Sequence, residues 1–449
     1  MIQLFAYWKD KEMKTTDLTR GKETRVLTQL ALPIMGSSLL QFTYNLVDML
    51  LVGRLGSDAV ASIGSSSFFI GLGYSINSLV VMGTAIKVAH GLGEKDPVQV
   101  KKYINAGNGL NLITAIIYGL ILVLGGKFLI GFLNLGNPIV ERDAYYYLAI
   151  NGPIFLFNFF NLLYARVLSS HGNNRLAFKI NSVGLVSNII LDPLFIYTFK
   201  LGVPGAAYAT LIAQVTMFIL FRIYTGDIFK YDKKLGIEKE KIKDIIKLGI
   251  PSSFQRILFT IINIFLARII AIYGTEAIAA QKIGFQVESI SFMVIGGLNG
   301  AMAAFTGQNF GAKKYDRVVS GYKAALKIGL SYSALMTTVF FAFNVPLIKL
   351  FVRDKLTVSM ASSYLIVLAF SQVFSTMEVI TNGLFTGIGK PHIPSIISVV
   401  FTSLRLPFAL ILTIPFGVNG IWMSISLSSM LKGIVAHLVY KIRIRKEFS

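Results

Sequence analysis

The sequence predicts an all-α integral membrane protein, with twelve transmembrane helices in two six-helix bundles related by a pseudo-twofold axis along the membrane normal. Three observations carry that expectation. Apolar runs of about 20 residues or more recur along the chain, enough to cross a hydrocarbon core of ~30 Å. Basic residues crowd into alternate loops between these runs. The second half of the chain repeats the pattern of the first at a nearly constant offset.

Composition agrees. Of the 449 residues, 54% are hydrophobic and 14% charged, against about 25% charged in soluble domains. There is no cysteine, which excludes disulfides and thiolate metal sites. The formal charge of +21 follows the loops rather than a separate basic domain, so nucleic acid is not an expected partner. The apolar stretch at the start, MIQLFAYWKDKEMK, is too short for a cleaved signal peptide, leaving the first span as the insertion signal.

The expected spans run at about 26–52, 58–90, 98–133, 143–170, 174–199, 203–226, 244–272, 276–309, 315–351, 357–388, 391–415 and 418–442. Turns rich in Gly, Pro and Asn separate them, such as GRLGSD, HGNN, GVPG and GKPH. One set of loops holds the N-terminal arm, HGLGEKDPVQVKK, NNRLAFK, the linker from Arg222 to Lys247, FGAKKYDR and KIRIRKEFS. This set carries most of the loop Lys and Arg, which places it and both termini in the cytoplasm. The domain reading is an N-terminal arm at 1–25, a first lobe at 26–226, a linker at 227–243, a second lobe at 244–443 and a tail at 444–449. The linker DIFKYDKKLGIEKEKIKD reads as a solvated amphipathic connector or as a lipid-binding element.

The repeat pairs Pro33 with Pro251, Asn45 with Asn263, Gly56 with Gly274 and Gly93 with Gly311, each 218 residues apart. Later the offset is 217, matching Tyr147 to Tyr364 and Gly172 to Gly389, and GVPGAA then matches GVNGIW at 215. Each unit has an even number of spans, so both enter the membrane in the same sense. That arrangement implies a cleft between two bundles and suits alternating access.

Polar residues inside the spans are the candidates for chemistry. Asp48 lies deep in the first span, at an insertion cost of roughly 2.5–3.5 kcal/mol. Gln41, Tyr44, Asn45 and Asp48 share one helical stripe. In SNIILDPLFIY, Asn188 and Asp192 stand one turn apart. Pro193 removes a backbone donor, so a bend or break is expected there. Asp192 reads either as a cap of the following segment or as a carboxylate at a bend, suited to a proton or small cation. Thr210 offers a hydroxyl after the small residues of GVPGAAYATLIAQ, with Gln214 a turn beyond. The second half carries Glu288, Glu378, Arg256, Arg268 and Arg405. These read as charge-balancing pairs or as a substrate lining. The repeat partner of Asp48 is Leu266, and that of Asp192 is Leu406 or Pro407, so the paired acids belong to the first half alone. No phosphate-binding G-x-x-x-x-G-K-[ST] is present. The four histidines, His90, His171, His392 and His437, are scattered, and no catalytic arrangement is evident. An enzyme is not expected, nor a cofactor; transport would run on an ion gradient.

Taken in order, LPIMGSSLLQFTYNLVDMLLVGRLG, VAHGLGEKD, SNIILDPLFIY, GVPGAAYATLIAQ, PSSFQRILFTIIN and TGQNFGAKKYD resemble the MATE (multidrug and toxic compound extrusion) family, in its DinF-like prokaryotic branch. The likeness spans about residues 20–445. It implies two six-helix lobes in a V shape, exporting lipophilic, amphipathic organic cations against protons or sodium across a prokaryotic inner membrane. It also implies a coupling site at Asp48, Asn188, Asp192 and Thr210, and a bend of the first helix at Pro33. The same four residues make a plausible oxygen cage for sodium. Candidate cleft residues are Gln41, Tyr44, Asn45, Phe157, Phe160, Asn161, Gln255 and Glu378. The chain departs from sodium-coupled relatives in having Gln255 and Phe259, not an acid, in the seventh span. One chain holds a complete pathway, so a monomer is expected to function. The rival readings are a flippase for a lipid-linked precursor, with Arg166, Arg256 and Arg268 in a cationic cleft, and a major-facilitator-type carrier.

Overall fold

The computed structural model describes residues 16–448. Most of the N-terminal arm expected at 1–25, and residue 449 of the tail, lie outside the described residues. In chain order the helices are α1 (Glu23–Gly53), α2 (Ser57–Glu94), α3 (Pro97–Phe132), α4 (Pro138–Ser170), α5 (Asn174–Pro193), α6 (Val203–Phe229), α7 (Lys239–Ala271), α8 (Thr275–Gly311), α9 (Tyr315–Lys349), α10 (Lys355–Ala369), α11 (Gln372–Gly387), α12 (His392–Ser403), α13 (Arg405–Phe416) and α14 (Val418–Val439). A π-helical turn (Leu194–Thr198) follows α5; a second (Tyr440–Ile444) and the short α15 (Arg445–Glu447) follow α14. No strand occurs among the described residues.

Eleven helical runs among the described residues are long and apolar enough to cross a bilayer, and the bent pair α10–α11 supplies the twelfth. That pair differs from the single span expected at 357–388: it bends by 57°. The Ser371 hydroxyl at the break donates to the Leu368 carbonyl (2.9 Å), so a side chain competes with the helical ladder there.

The described residues pack as two compact units. Thr16, Asp17 and Gly36–Ile250 form the first; Leu18–Met35 and the residues from Pro251 onward form the second. α1 and α7 therefore each contribute to both units, and the divisions fall beside Pro33 and at Pro251, partners in the repeat. α1 stays α-helical through Pro33.

In the first unit, Tyr164 stacks on Phe229 at 3.9 Å within a core that includes Leu163, Phe221 and Ile245. In the second, Trp422 and Tyr364 meet edge to face at 5.1 Å among Phe340, Leu365 and Ile421. Leu18, fully buried, donates its N–H to Gln308 Oε1 (3.0 Å), and Asn309 donates to its carbonyl (3.2 Å). This fixes the start of α1 on the second unit.

The linker is tied to the first unit. Asn105 donates to the carbonyls of Asp232 and Gly236 (both 2.9 Å). Lys102 pairs with Glu238 at 2.6 Å and holds that carboxyl below its ordinary range. Asp244 accepts from Tyr103 (2.7 Å) and pairs with Lys87 (3.2 Å).

Glycines set the approach of α2 to α7 within this unit. A Cβ on Gly83 would lie 2.2 Å from the Ile245 carbonyl oxygen, and one on Gly249 2.0 Å from that of Leu79. Both obstacles are backbone, so no rotamer change relieves them. Gly249→Ala is expected to cost about 1–3 kcal/mol, read as a lower Tm of the detergent-purified protein.

His171 closes α4 outside the spans. Its Nδ1 lies 2.9 Å from the Val167 carbonyl oxygen; a carbonyl only accepts, so Nδ1 carries the proton. Burial holds its pKa below the ordinary 6.5. A depressed folded pKa makes this contribution fully present above the ordinary value and loses it as pH falls through the folded one. Thermal unfolding of the wild type should therefore weaken more steeply below about pH 6 than that of His171→Gln.

Candidate functional site

The GVPGAA segment sets the geometry of the site. α6 begins after Gly202, with Pro204 in its first turn. A Cβ on Gly205 would meet the Phe195 carbonyl at 2.8 Å, so the missing side chain lets the start of α6 lie against the π turn. Thr210, two turns on, is thereby brought to Asn188 of α5, whose Nδ2 donates to the Thr210 hydroxyl oxygen (3.3 Å). The Thr210 hydroxyl donates to Ala206 O (3.0 Å).

Pro193 does not break the helix at Asp192. α5 continues to Pro193 and then widens into the π turn, where Phe199 N–H donates to Leu194 O (2.9 Å). The N–H that Pro193 lacks belongs to the turn before it, and α5 keeps its helical course through that turn. Asp192 is not a cap: it is fully buried, and neither carboxylate oxygen has a hydrogen-bond partner among the described residues. The Oδ1 of Asn188, itself 3% exposed, is likewise unpartnered.

Asp48 of α1 lies close enough to Asp192 to repel it, and both act on Tyr44 and Tyr147. Tyr44 lies near Thr210 as well as the two acids. Tyr197, in the π turn, donates to the Leu51 carbonyl and so ties α5 to the part of α1 that carries Asp48. Val52, Ile196, Val203 and Ala206, with Tyr147 at their edge, form an apolar cluster beside the acids. The structure thus brings together Asp48, Asn188, Asp192, Thr210 and Tyr44 from three parts of the sequence.

Tyr147 was missed as a site residue. Tyr147 feels the charges of Asp48 and Asp192; the repeat already pairs it with Tyr364, which touches a buried acid directly, its Oη donating to Glu288 Oε2 (3.0 Å).

The cleft candidates separate. Phe157 and Phe160 pack on Phe218 (5.6 and 5.8 Å). Asn161 Nδ2 donates to the backbone and side-chain oxygens of Gln214 (2.9 and 2.8 Å). Gln41 donates to Asn45 (3.0 Å) on an exposed face of α1, although Tyr44 and Asp48 of the same stripe turn toward Asp192. Gln255 and Glu378 belong to the second unit. There Glu378 pairs with Lys432 at 3.2 Å. Lys432 also went unnoticed, although a lysine inside SSMLKGIVAHLV is the signal that intramembrane charges give.

Two carboxylates, an unpartnered amide oxygen and a hydroxyl make a site able to take up a positive charge. Burial of an uncompensated carboxylate is costly. Asp192→Asn is therefore expected to stabilise the fold by about 1–3 kcal/mol at alkaline pH, with a smaller gain under acid conditions, measured as Tm.

The MatE family model matches residues 33–194 and again 251–411, two stretches that begin at the repeat-paired prolines. The probable multidrug resistance protein YoeA of Bacillus subtilis (strain 168) is 26% identical over 420 residues, 89% of each chain. The multidrug export protein MepA of Staphylococcus aureus (strain NCTC 8325 / PS 47) is 26% identical over 439 residues, 94% of each chain. A crystal structure of MATE in complex with MaL6 superposes with a TM-score of 0.91 at 24% identity, covering 97% of this chain and 99% of that one, which shows a shared fold.

Proposed function

The chain belongs to the MatE family, whose members here are multidrug transporters, and from that premise we propose that it is a secondary active antiporter exporting amphipathic organic cations in exchange for protons or sodium. The observation that carries the reading is Asp192, fully buried beside Asp48 with both oxygens unpartnered. A proton or a sodium ion satisfies that pair; without one, two like charges share a site sealed on one side by apolar side chains.

Uptake of the ion removes a charge that would otherwise hold a cationic substrate. α1 carries Asp48 in the first unit, and its start is fixed to the second. Rearrangement at Pro33 then links the ionisation of the acids to movement of the whole helix. Tyr44, on the same face as Asp48, lies near both acids and so is placed to respond to the state of the pair. Phe157 and Phe160 supply aromatic surface for a lipophilic cation, and Asn161 braces the helix beneath them through Gln214. Each proton moved inward supplies about 2.3 kcal/mol per 100 mV. The positive-inside distribution supports insertion in a prokaryotic inner membrane with both termini cytoplasmic. A single chain holds both units, which supports function as a monomer.

In proteoliposomes, Asp48→Asn and Asp192→Asn are each expected to abolish efflux driven by an imposed ion gradient while still binding a lipophilic dye cation. Full gradient-driven efflux by either variant would overturn the scheme. Imposing the proton and sodium gradients separately on the wild type identifies the coupling ion.

A further inference from the structure

The second unit holds four buried ionisable side chains that the first-unit scheme leaves idle: Glu288, Glu378, Arg405 and Lys432. Their formal charges cancel. Glu288 accepts from neutral donors, Tyr364 Oη (3.0 Å) and Gln372 Nε2 (3.3 Å). Arg405 is held by the hydroxyls of Ser428 and Ser429 (3.2 and 3.4 Å), and its guanidinium lies 5.7 Å from the centre of the Phe259 ring. Glu378 is held differently, by the Lys432 ammonium at 3.2 Å, with both side chains under a tenth exposed. Lys432 also feels the charges of Glu288 and Arg405.

Packing alone does not call for an ion pair here. Glu378 stands 217 residues after Asn161, the offset of this part of the repeat. In the first unit Asn161 of α4 meets Gln214 of α6 through a neutral amide pair; in the second, Glu378 of α11 meets Lys432 of α14 through a charged one. The contact between the corresponding helices closes either way, although at the offset of 215 that holds for the last helix Gln214 matches Ser429, one turn before Lys432. Removing one partner of a buried pair leaves an uncompensated charge, whereas replacing both costs little.

We propose that the Lys432 ammonium is a tethered cation filling a latent alkali-cation site of the second unit, and that removing its charge opens that site, at Glu378, to sodium or potassium. An ammonium and an alkali ion carry the same charge and both seek carboxylate oxygen, so one replaces the other. Lys432 then decides that this unit takes up no exchangeable ion, a specificity role that stands whichever ion the first unit uses.

The test uses the full chain in an Asp48→Asn/Asp192→Asn background, which removes the first-unit acids. Tm in detergent is measured at alkaline pH in sodium, potassium and N-methyl-D-glucamine chlorides, alongside binding of radiolabelled sodium. Lys432→Gln should gain a saturable rise in Tm with sodium or potassium and not with N-methyl-D-glucamine, and should bind sodium. The parent, Lys432→Arg and Glu378→Gln/Lys432→Gln should show neither effect. The double variant reproduces the amide pair and should remain stable without alkali ions. A Lys432→Gln protein without a cation-dependent shift, or a shift that survives in the double variant, overturns the proposal. Should Lys432→Gln be lost on extraction, sodium or potassium kept present throughout must recover it; failure there, with the double variant stable, also counts against the site.

Discussion

The cost of burying a charge governs this structure. In hydrocarbon an ionised side chain needs a partner of opposite sign or a route to neutrality. The two units meet this requirement in different ways. In the second, each buried acid sits among buried bases, and Glu378 is clasped directly by Lys432. In the first, Asp192 has no partner for either oxygen, and its charged neighbour is a second carboxylate. A net-neutral cluster can persist through many conformations. An unbalanced pair of acids changes its free energy each time a cation enters or leaves.

The backbone arranges that contrast with few special residues. Gly205 lets α6 lie against the π turn, so that Thr210 reaches Asn188. The helix widens into a π turn after Pro193 without unwinding at Asp192. Tyr197 ties the same turn to α1 through the Leu51 carbonyl. The consequence is a polar site defined by three helices and backed by an apolar cluster. Because α1 also contributes its start to the second unit, a change at Asp48 acts on a helix anchored in both.

Much of this was legible in the chain. Hydropathy and the repeat are properties of long windows, so the spans could be read directly, whereas the division of α1 and α7 between the two units could not. Asp48, Asn188 and Asp192 stood out because acids and amides are conspicuous in apolar helices, and the i, i+4 spacing of Asn188 and Asp192 fixes a shared face. The bend at Phe370–Ser371 was not legible, since no proline marks it and serine hydroxyls bond the backbone in unbroken helices as well. The orientation of Gln41 and Asn45 was also hidden. A stripe wide enough to hold four residues spans more than one environment, and only Tyr44 and Asp48 turn inward. Lys432 was readable and was overlooked, its partner Glu378 having drawn attention alone.

The repeat also shows which features a shared ancestor imposes and which came later. Tyr147 and Tyr364 are equivalent, and each attends a buried acid, although those acids are not equivalent to each other. Asn161–Gln214 and Glu378–Lys432 close corresponding helix contacts, one with amides and one with ions. A scaffold that accepts either chemistry at one contact leaves charge free to vary while packing stays fixed. The asymmetry between the units is therefore electrostatic before it is structural: the same fold, used twice, keeps one set of acids uncompensated and balances the other from within.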